Sequence, residues 1–352
     1  MRLRHLSVLG VSGVLLVGAA AGVRAQGPYA KIGEVPVGGA ASFDYLNVDP
    51  AAHRLYLTHS TEVVVIDTTT NAVVGRIPAG PRIHGIALVG DRGYITNGGE
   101  ATVSIVDLKT LQVLNKVTTD PNNAMANPDA ITYEPKQKEI YAFNHTGKSA
   151  GVLEAATGKL VTVIPLSGVA ETGQADPALG RVYVNIEDTD SVDVIDTATH
   201  KVIANWKVTP ATSPTGMAID LATHRLFVGG GPNTVMMDGR TGKIVASISI
   251  PSGTDATWFD PGLKMVFSSC TGNGGVIVAA KVDGDTMTVV QTIETTRGAR
   301  TMALDTSTHR LYVAGQKYAP VDPTAPPPPA GGRGRGPAGI PDSFHVLVFG
   351  MK

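Results

Sequence analysis

Cysteine is nearly missing from this chain. Cys270 stands alone in 352 residues, so no intramolecular disulfide holds the fold and packing must do so. Aromatic residues make up only 5% and charged residues 17% of the sequence. Basic residues give no excess: 29 Lys and Arg face 30 Asp and Glu, for a formal net charge of −1. That balance offers no electrostatic footprint for nucleic acid, which is therefore an unfavoured partner. Several chemical signatures are also missing. Past the first residues there is no G-x-S-x-G nucleophile elbow, no Walker A loop and no Rossmann fingerprint. Neither H-E-x-x-H nor an EF-hand loop occurs, so no local metal-ligand motif is present.

The start of the chain carries an address. "MRLRH" is basic, "LSVLGVSGVLLVGAAAG" is apolar, and Val23 and Ala25 occupy small-residue cleavage positions before Gln26. This is the pattern of a secretory signal peptide over residues 1–25. Its removal takes away Arg2, Arg4 and Arg24 and moves the formal charge from −1 to −4. The expected location is periplasmic or extracellular. No later apolar run is long enough to span a bilayer as a helix.

Glycine, by contrast, is abundant, at 41 residues, and the rest of the chain repeats itself. "VDPAAHRLYLTH", "IDLATHRLFVGG" and "LDTSTHRLYVAG" are three copies of one phrase, at residues 48–59, 219–230 and 304–315. Aligned on Tyr56, Tyr94, Tyr141, Tyr183, Phe227, Phe267 and Tyr312, seven units recur with a mean period of about 43 residues. Each unit has a first strand ending in an acid in six of seven cases, at Asp49, Glu134, Asp176, Asp220, Asp260 and Asp305. The Tyr/Phe strand follows, then a β-branched strand such as "VVVID" or "SVDVID", then a hairpin such as "TTTNAVV" or "TATHKVI" into a fourth. Runs this short and this rich in Val favour sheet. One such sheet leaves two apolar faces wet, and stacking copies buries them. The expected fold is all-β, a seven-bladed propeller of four-stranded blades over residues 26–352. The last unit ends at "SFHVLVFG" without a fourth strand, and residues 30–37, "AKIGEVPV", look like one. They are expected to complete the last blade and close the ring.

These segments carry a resemblance. "VxVIDTxT"-type third strands, with "PDAITYEP", "RVYVNIED", "PTGMAIDLATHRLFVG" and "RGARTMALDTSTHRLYV", resemble the YVTN-repeat (YncE-like) seven-bladed β-propeller family over nearly all of the chain past the signal peptide. The resemblance implies an exported protein with a ligand or partner surface and no assured catalytic activity. One departure is the Pro- and Gly-rich segment at residues 316–342, read as a loop insertion in the last blade. Its "GGRGRG" holds too few arginines to argue for RNA.

Propeller geometry sorts the candidate residues onto two faces. His53, His224 and His309 lie in "[AT]HRL" turns and His200 in a third-to-fourth hairpin, where turn chemistry explains their recurrence. On the opposite face, five residues before each first-strand acid stand Asp44, Asp129, Glu171, Thr215, Asp255 and Arg300. The second unit lacks the acid; alignment on Gly90 gives Gly85, beside His84. First strands line a propeller's channel, so these positions are expected to ring its mouth. His59, Asn97, Asn144, His145, Glu187 and Asp188 belong to loops of the same face. Gathered carboxylates demand a counter-charge or raised pKa values. A divalent cation is the one cofactor this pattern admits.

The expectation is an exported binding or scaffold protein using this face for a small molecule, ion, peptide or glycan. The competing reading is a metal-assisted, lactonase-like hydrolase or a quinoprotein-like redox propeller. Cys270 is expected to be a buried thiol, Trp206 and Trp258 to be core, and the repeated tyrosines to pack between blades.

Overall fold

A computed structural model describes residues 27–39, 42–319 and 339–352. The expected signal peptide and most of the 316–342 segment lie outside the described residues. Among the described residues, seven four-stranded antiparallel sheets account for the fold, with two short 3₁₀ turns, Glu187–Thr189 and Gly272–Gly274. Six blades are continuous in sequence, at residues 43–78, 83–118, 128–165, 170–207, 212–249 and 257–294. The seventh joins Met302–Asp305, Arg310–Gly315 and His345–Met351 to Tyr29–Pro36 from the other end of the chain. That last strand pairs antiparallel with His345–Met351, from Tyr29 opposite Met351 to Pro36 opposite His345. The expected closure by the N-terminal strand is therefore present.

The core lies between blades rather than within any one of them. Seven apolar clusters each combine side chains of two neighbouring blades. The repeated Tyr and Phe side chains lie fully buried in these layers. Where the residue is tyrosine its hydroxyl needs a partner in an apolar layer. Tyr183 donates to the Gly239 carbonyl of the next blade at 2.6 Å, and Tyr94 donates to the Ala155 carbonyl of its own neighbour.

The recurring acids cap turns. Asp49 accepts the N–H groups of Ala51 and Ala52, and Asp67 those of Thr69 and Thr70. The hairpin histidines combine two roles. His53, His200, His224 and His309 all take a left-handed backbone, with φ of 53°, 52°, 57° and 57°. Three of them also reach an acid of the preceding blade. His224 Nδ1 lies 2.5 Å from Asp176, His309 Nδ1 2.7 Å from Asp260, and His200 Nε2 2.9 Å from Glu139.

Neither tryptophan is simply core. Trp206 is half-buried on an outer strand against Tyr183, with the Arg181 guanidinium 6.0 Å from its ring. Trp258 sits on an innermost strand, donates to the Met302 carbonyl at 2.7 Å and lines the central channel. An innermost strand has the channel on one side, so a large side chain there cannot be enclosed by blades alone. Cys270 is fully buried, and burial pushes its thiol up to about 11. No helix among the described residues is long and apolar enough to cross a membrane.

Candidate functional site

The ring at the channel mouth is set by strand register. The innermost strands pair Asn47 with Tyr56, Ala87 with Tyr94, Thr132 with Tyr141, Gln174 with Tyr183, Ala218 with Phe227, Trp258 with Phe267 and Ala303 with Tyr312. Three residues before each inner partner stand Asp44, His84, Asp129, Glu171, Thr215, Asp255 and Arg300. The second-blade position is thus His84, not Gly85. The cause is a shorter hairpin: Val89 pairs with Arg92 across two residues, where Asp49 pairs with Arg54 across four. Val89 takes the place of the missing acid.

A bulge frees the backbone of these residues. In the first blade the register slips between Phe43 and Leu46, and equivalent slips lie between Ile83 and Ile86, Pro128 and Ile131, and Ala170 and Gly173. A bulge leaves carbonyls out of the ladder, and buried carbonyls need partners. Buried hydroxyls of neighbouring blades supply them. Thr301 donates to the Asp44 carbonyl at 2.7 Å and Thr58 to the His84 carbonyl at 2.7 Å. Thr96 donates to the Asp129 carbonyl, and Ser269 to that of Arg300.

The side chains meet across blades. His84 Nδ1 is 2.6 Å from Asp44 Oδ2 and 3.7 Å from Asp129 Oδ1. His145 Nε2, from the loop after the second strand of the third blade, is 3.0 Å from Glu171 Oε1 and 3.8 Å from Glu187 Oε2. Each set offers one nitrogen and two carboxylate oxygens within 4.8 Å of one another. Arg300 is committed elsewhere. Its Nε lies 2.8 Å from Asp255 Oδ2, its Nη2 donates to the Phe43 carbonyl at 3.0 Å, and it sits 5.3 Å from the Phe43 ring.

Burial and crowding shape the protonation of the ring. Desolvation, together with the charge of Asp44, pushes Asp129 well above the usual carboxylate range. Desolvation likewise raises Asp255 to about 7, against the pull of Arg300. Burial pulls His84 down, but the hydrogen bond to Asp44 and the charge of Asp129 leave it above its ordinary value. The hydrogen bond to Glu171 raises His145 in spite of burial.

Two residues beyond the expected set belong here. Tyr45 reaches across the channel: its hydroxyl donates to Glu171 Oε2 at 3.3 Å and accepts from Thr172 at 3.4 Å. It also lines a channel cavity of about 270 Å³ with Asn47, Thr132, Gln174 and Trp258. The same position in the other blades is Gly85, Ala130, Thr172, Gly216, Ala256 and Thr301. One large aromatic among small residues was the available signal. Asn127, with φ of 55°, accepts the His145 N–H on its carbonyl at 3.0 Å. Its Oδ1 and His84 Nε2 are both buried without a hydrogen-bond partner, and both pack against the Cα of Gly98, where a Cβ would meet either atom within 2.8 Å.

Of the six surrounding residues read from the loops, His145 and Glu187 join the mouth. The other four have structural partners. His59 stacks on Phe344 at 4.6 Å in the seam between first and last blades. Asn97 donates to Thr102 and Ser104, and Asn144 to Ser149. Asp188 pairs with Lys148 at 2.8 Å and accepts the Val169 N–H. Among the ring positions Thr215 donates to the Thr254 carbonyl and brings no charge.

No protein-family model matches the sequence, and no curated protein is similar to it. Among solved structures the chain is similar to one from a crystal structure of the mitotic checkpoint complex. That likeness has a TM-score of 0.71, covers 100% of this chain and 99% of the other, and carries 10% sequence identity. Identity that low speaks for a shared propeller-like fold alone.

Proposed function

We propose that this chain is an exported binding protein of the YVTN-repeat kind, and that its ligand presents a positively charged group to the channel mouth. The observation that carries the reading is the convergence of Asp44, Asp129, Glu171 and Glu187 around two imidazoles, while Arg300 is spent on Asp255. Carboxylates outnumber the cations that face them, and the mouth is partly desolvated, so an incoming cation interacts strongly. A metal-assisted hydrolase is the second reading, favoured by one observation, the two sets of imidazole plus paired carboxylates.

A thermal-shift screen tests the first reading with a panel of organic ammonium compounds, inorganic cations, carboxylates and neutral sugars. Stabilising compounds are expected to carry positive charge, and the double variant Asp44→Asn, Glu171→Gln is expected to abolish their effect. Hits that are anionic or neutral, or hits that survive the double variant, would overturn the reading.

A further inference from the structure

We propose that Asp44, His84 and Asp129 form a site for one divalent first-row transition-metal ion, with His84 Nδ1 and one oxygen of each carboxylate as ligands. The inference rests on the channel-mouth reading and narrows it to a particular ion class and three particular atoms.

Three independent observations carry it. The first is spacing. Ligands about 2.1 Å from a tetrahedral ion lie roughly 3.4 Å from one another. Nδ1 of His84 lies 2.6 Å from Asp44 Oδ2 and 3.7 Å from Asp129 Oδ1, on either side of that value, and all three atoms fall within 4.8 Å. Small side-chain rotations bring them to an ion.

The second is support. All three ligand residues have their backbone carbonyl held by a fully buried hydroxyl, from Thr301, Thr58 and Thr96. Each ligand comes from a different blade: Thr58 ties the first blade to His84, Thr96 ties the second to Asp129, and Thr301 ties Asp44 to the seventh. Sites hold metal well when their ligands are placed by a rigid scaffold. The competing set is less well placed. Glu187 there belongs to a single 3₁₀ turn with a side chain 38% exposed, and its oxygen is 3.8 Å from His145 Nε2.

The third is the ring nitrogen of His84 that faces away from the carboxylates. A metal-binding imidazole generally donates its other N–H to an oxygen, which fixes the tautomer. Nε2 of His84 is buried without a partner, and the partnerless Oδ1 of Asn127 packs against the same glycine, Gly98. Closure of that one hydrogen bond leaves Nδ1 free to ligate. Asn127 is thus a positioning residue for the site, and Gly98 is the residue whose lack of a side chain makes room for both.

The donor set selects the ion class. One imidazole nitrogen with two carboxylates suits zinc and its first-row neighbours. Calcium prefers six to eight oxygens, which this set does not provide.

The test uses the full secreted chain, treated with chelator and dialysed, then titrated with Zn²⁺ by calorimetry and with Co²⁺ by visible absorption. One equivalent of Zn²⁺ is expected, with Ca²⁺ at least about 100-fold weaker. His84→Ala and Asp129→Asn are each expected to weaken Zn²⁺ by about 100-fold or more, and Asn127→Gly by about 10- to 100-fold. The glycine keeps the left-handed backbone at that position. His145→Ala, which removes a neighbouring charge but no proposed ligand, is expected to change Zn²⁺ affinity far less than His84→Ala. Melting curves establish that each variant is folded. The proposal is overturned if folded protein binds no Zn²⁺, if Zn²⁺ binding survives His84→Ala, or if binding is lost only in His145→Ala. Failure here with ammonium compounds still bound in an Asp44- and Glu171-dependent manner would leave the broader channel-mouth reading standing.

Discussion

At the scale of single residues, Asp255 shows how the ring trades stability for charge. Its carboxyl is pushed from an ordinary 3.8 to about 7, first by burial and then by Asp44, Glu171 and Glu187, with Arg300 opposing. Between those two pH values the native state keeps a proton that the unfolded chain has released. Stability therefore falls as pH rises through that window, and the loss is complete once pH passes about 7. Asp255→Asn keeps a neutral side chain at every pH. The melting temperatures of variant and parent are expected to lie close near pH 4 and to separate in favour of the variant by about pH 7.5. A parent that gains on the variant across this range would show that the pair with Arg300, and not burial, dominates. Asp255 was legible in the sequence because most blades share one strand length, so that counting back from a recurrent acid lands on one rim. His84 was displaced by one position for the same reason in reverse: its hairpin is two residues shorter, and a fixed glycine was the wrong anchor. Tyr45 was passed over because charge, and not size, guided the search. Asn127 had no sequence signal at all, since its role depends on what packs against Gly98.

Single elements show why the ring residues stay where they are. Every innermost strand of the first four blades bulges at its ring position, and a bulge is stable only if the carbonyls it releases are paired. Thr96 does this most economically, donating to the Asp129 carbonyl while accepting the Gly85 N–H at 2.8 Å. Thr96→Val keeps the shape and removes both bonds, leaving two buried polar groups unpaired. A loss of about 2–4 kcal/mol is expected in denaturant titrations. Thr96→Ser restores the hydroxyl and is expected to recover most of it. Equal stability of the valine variant would mean that the bulge pairs its carbonyls elsewhere. The strand pattern itself was plain in the sequence, because two buried faces per blade demand runs of Val and Ile. The bulges were not, because they depend on hydroxyls from the neighbouring blade rather than on any local residue.

For the whole molecule, the decisive feature is that chain ends meet in one sheet. A propeller without closure leaves the first and last blades held only by face packing, with the free edge of His345–Met351 available to other chains. Tyr29–Pro36 covers that edge over its full length. Tyr29 and Val35 of this strand and Val37 just past it are buried, at 2%, 1% and 8% exposure, between the last blade and its neighbours. Tyr29 donates to the His309 carbonyl at 2.9 Å, and Gln291 of the sixth blade bonds both its N–H and its carbonyl. Three buried apolar side chains are worth about 5–9 kcal/mol together, a large part of the 5–15 kcal/mol that ordinarily separates folded from unfolded. Deletion of residues 27–37 is therefore expected to abolish the cooperative melting transition or to drive association through the exposed edge, seen as larger species in size-exclusion chromatography. A synthetic peptide of residues 27–37 added to the truncated chain is expected to restore a monomeric, cooperative state, because the strand's contribution is pairing and burial rather than covalent linkage. A truncated chain that melts as the parent does would show instead that face packing alone closes the ring.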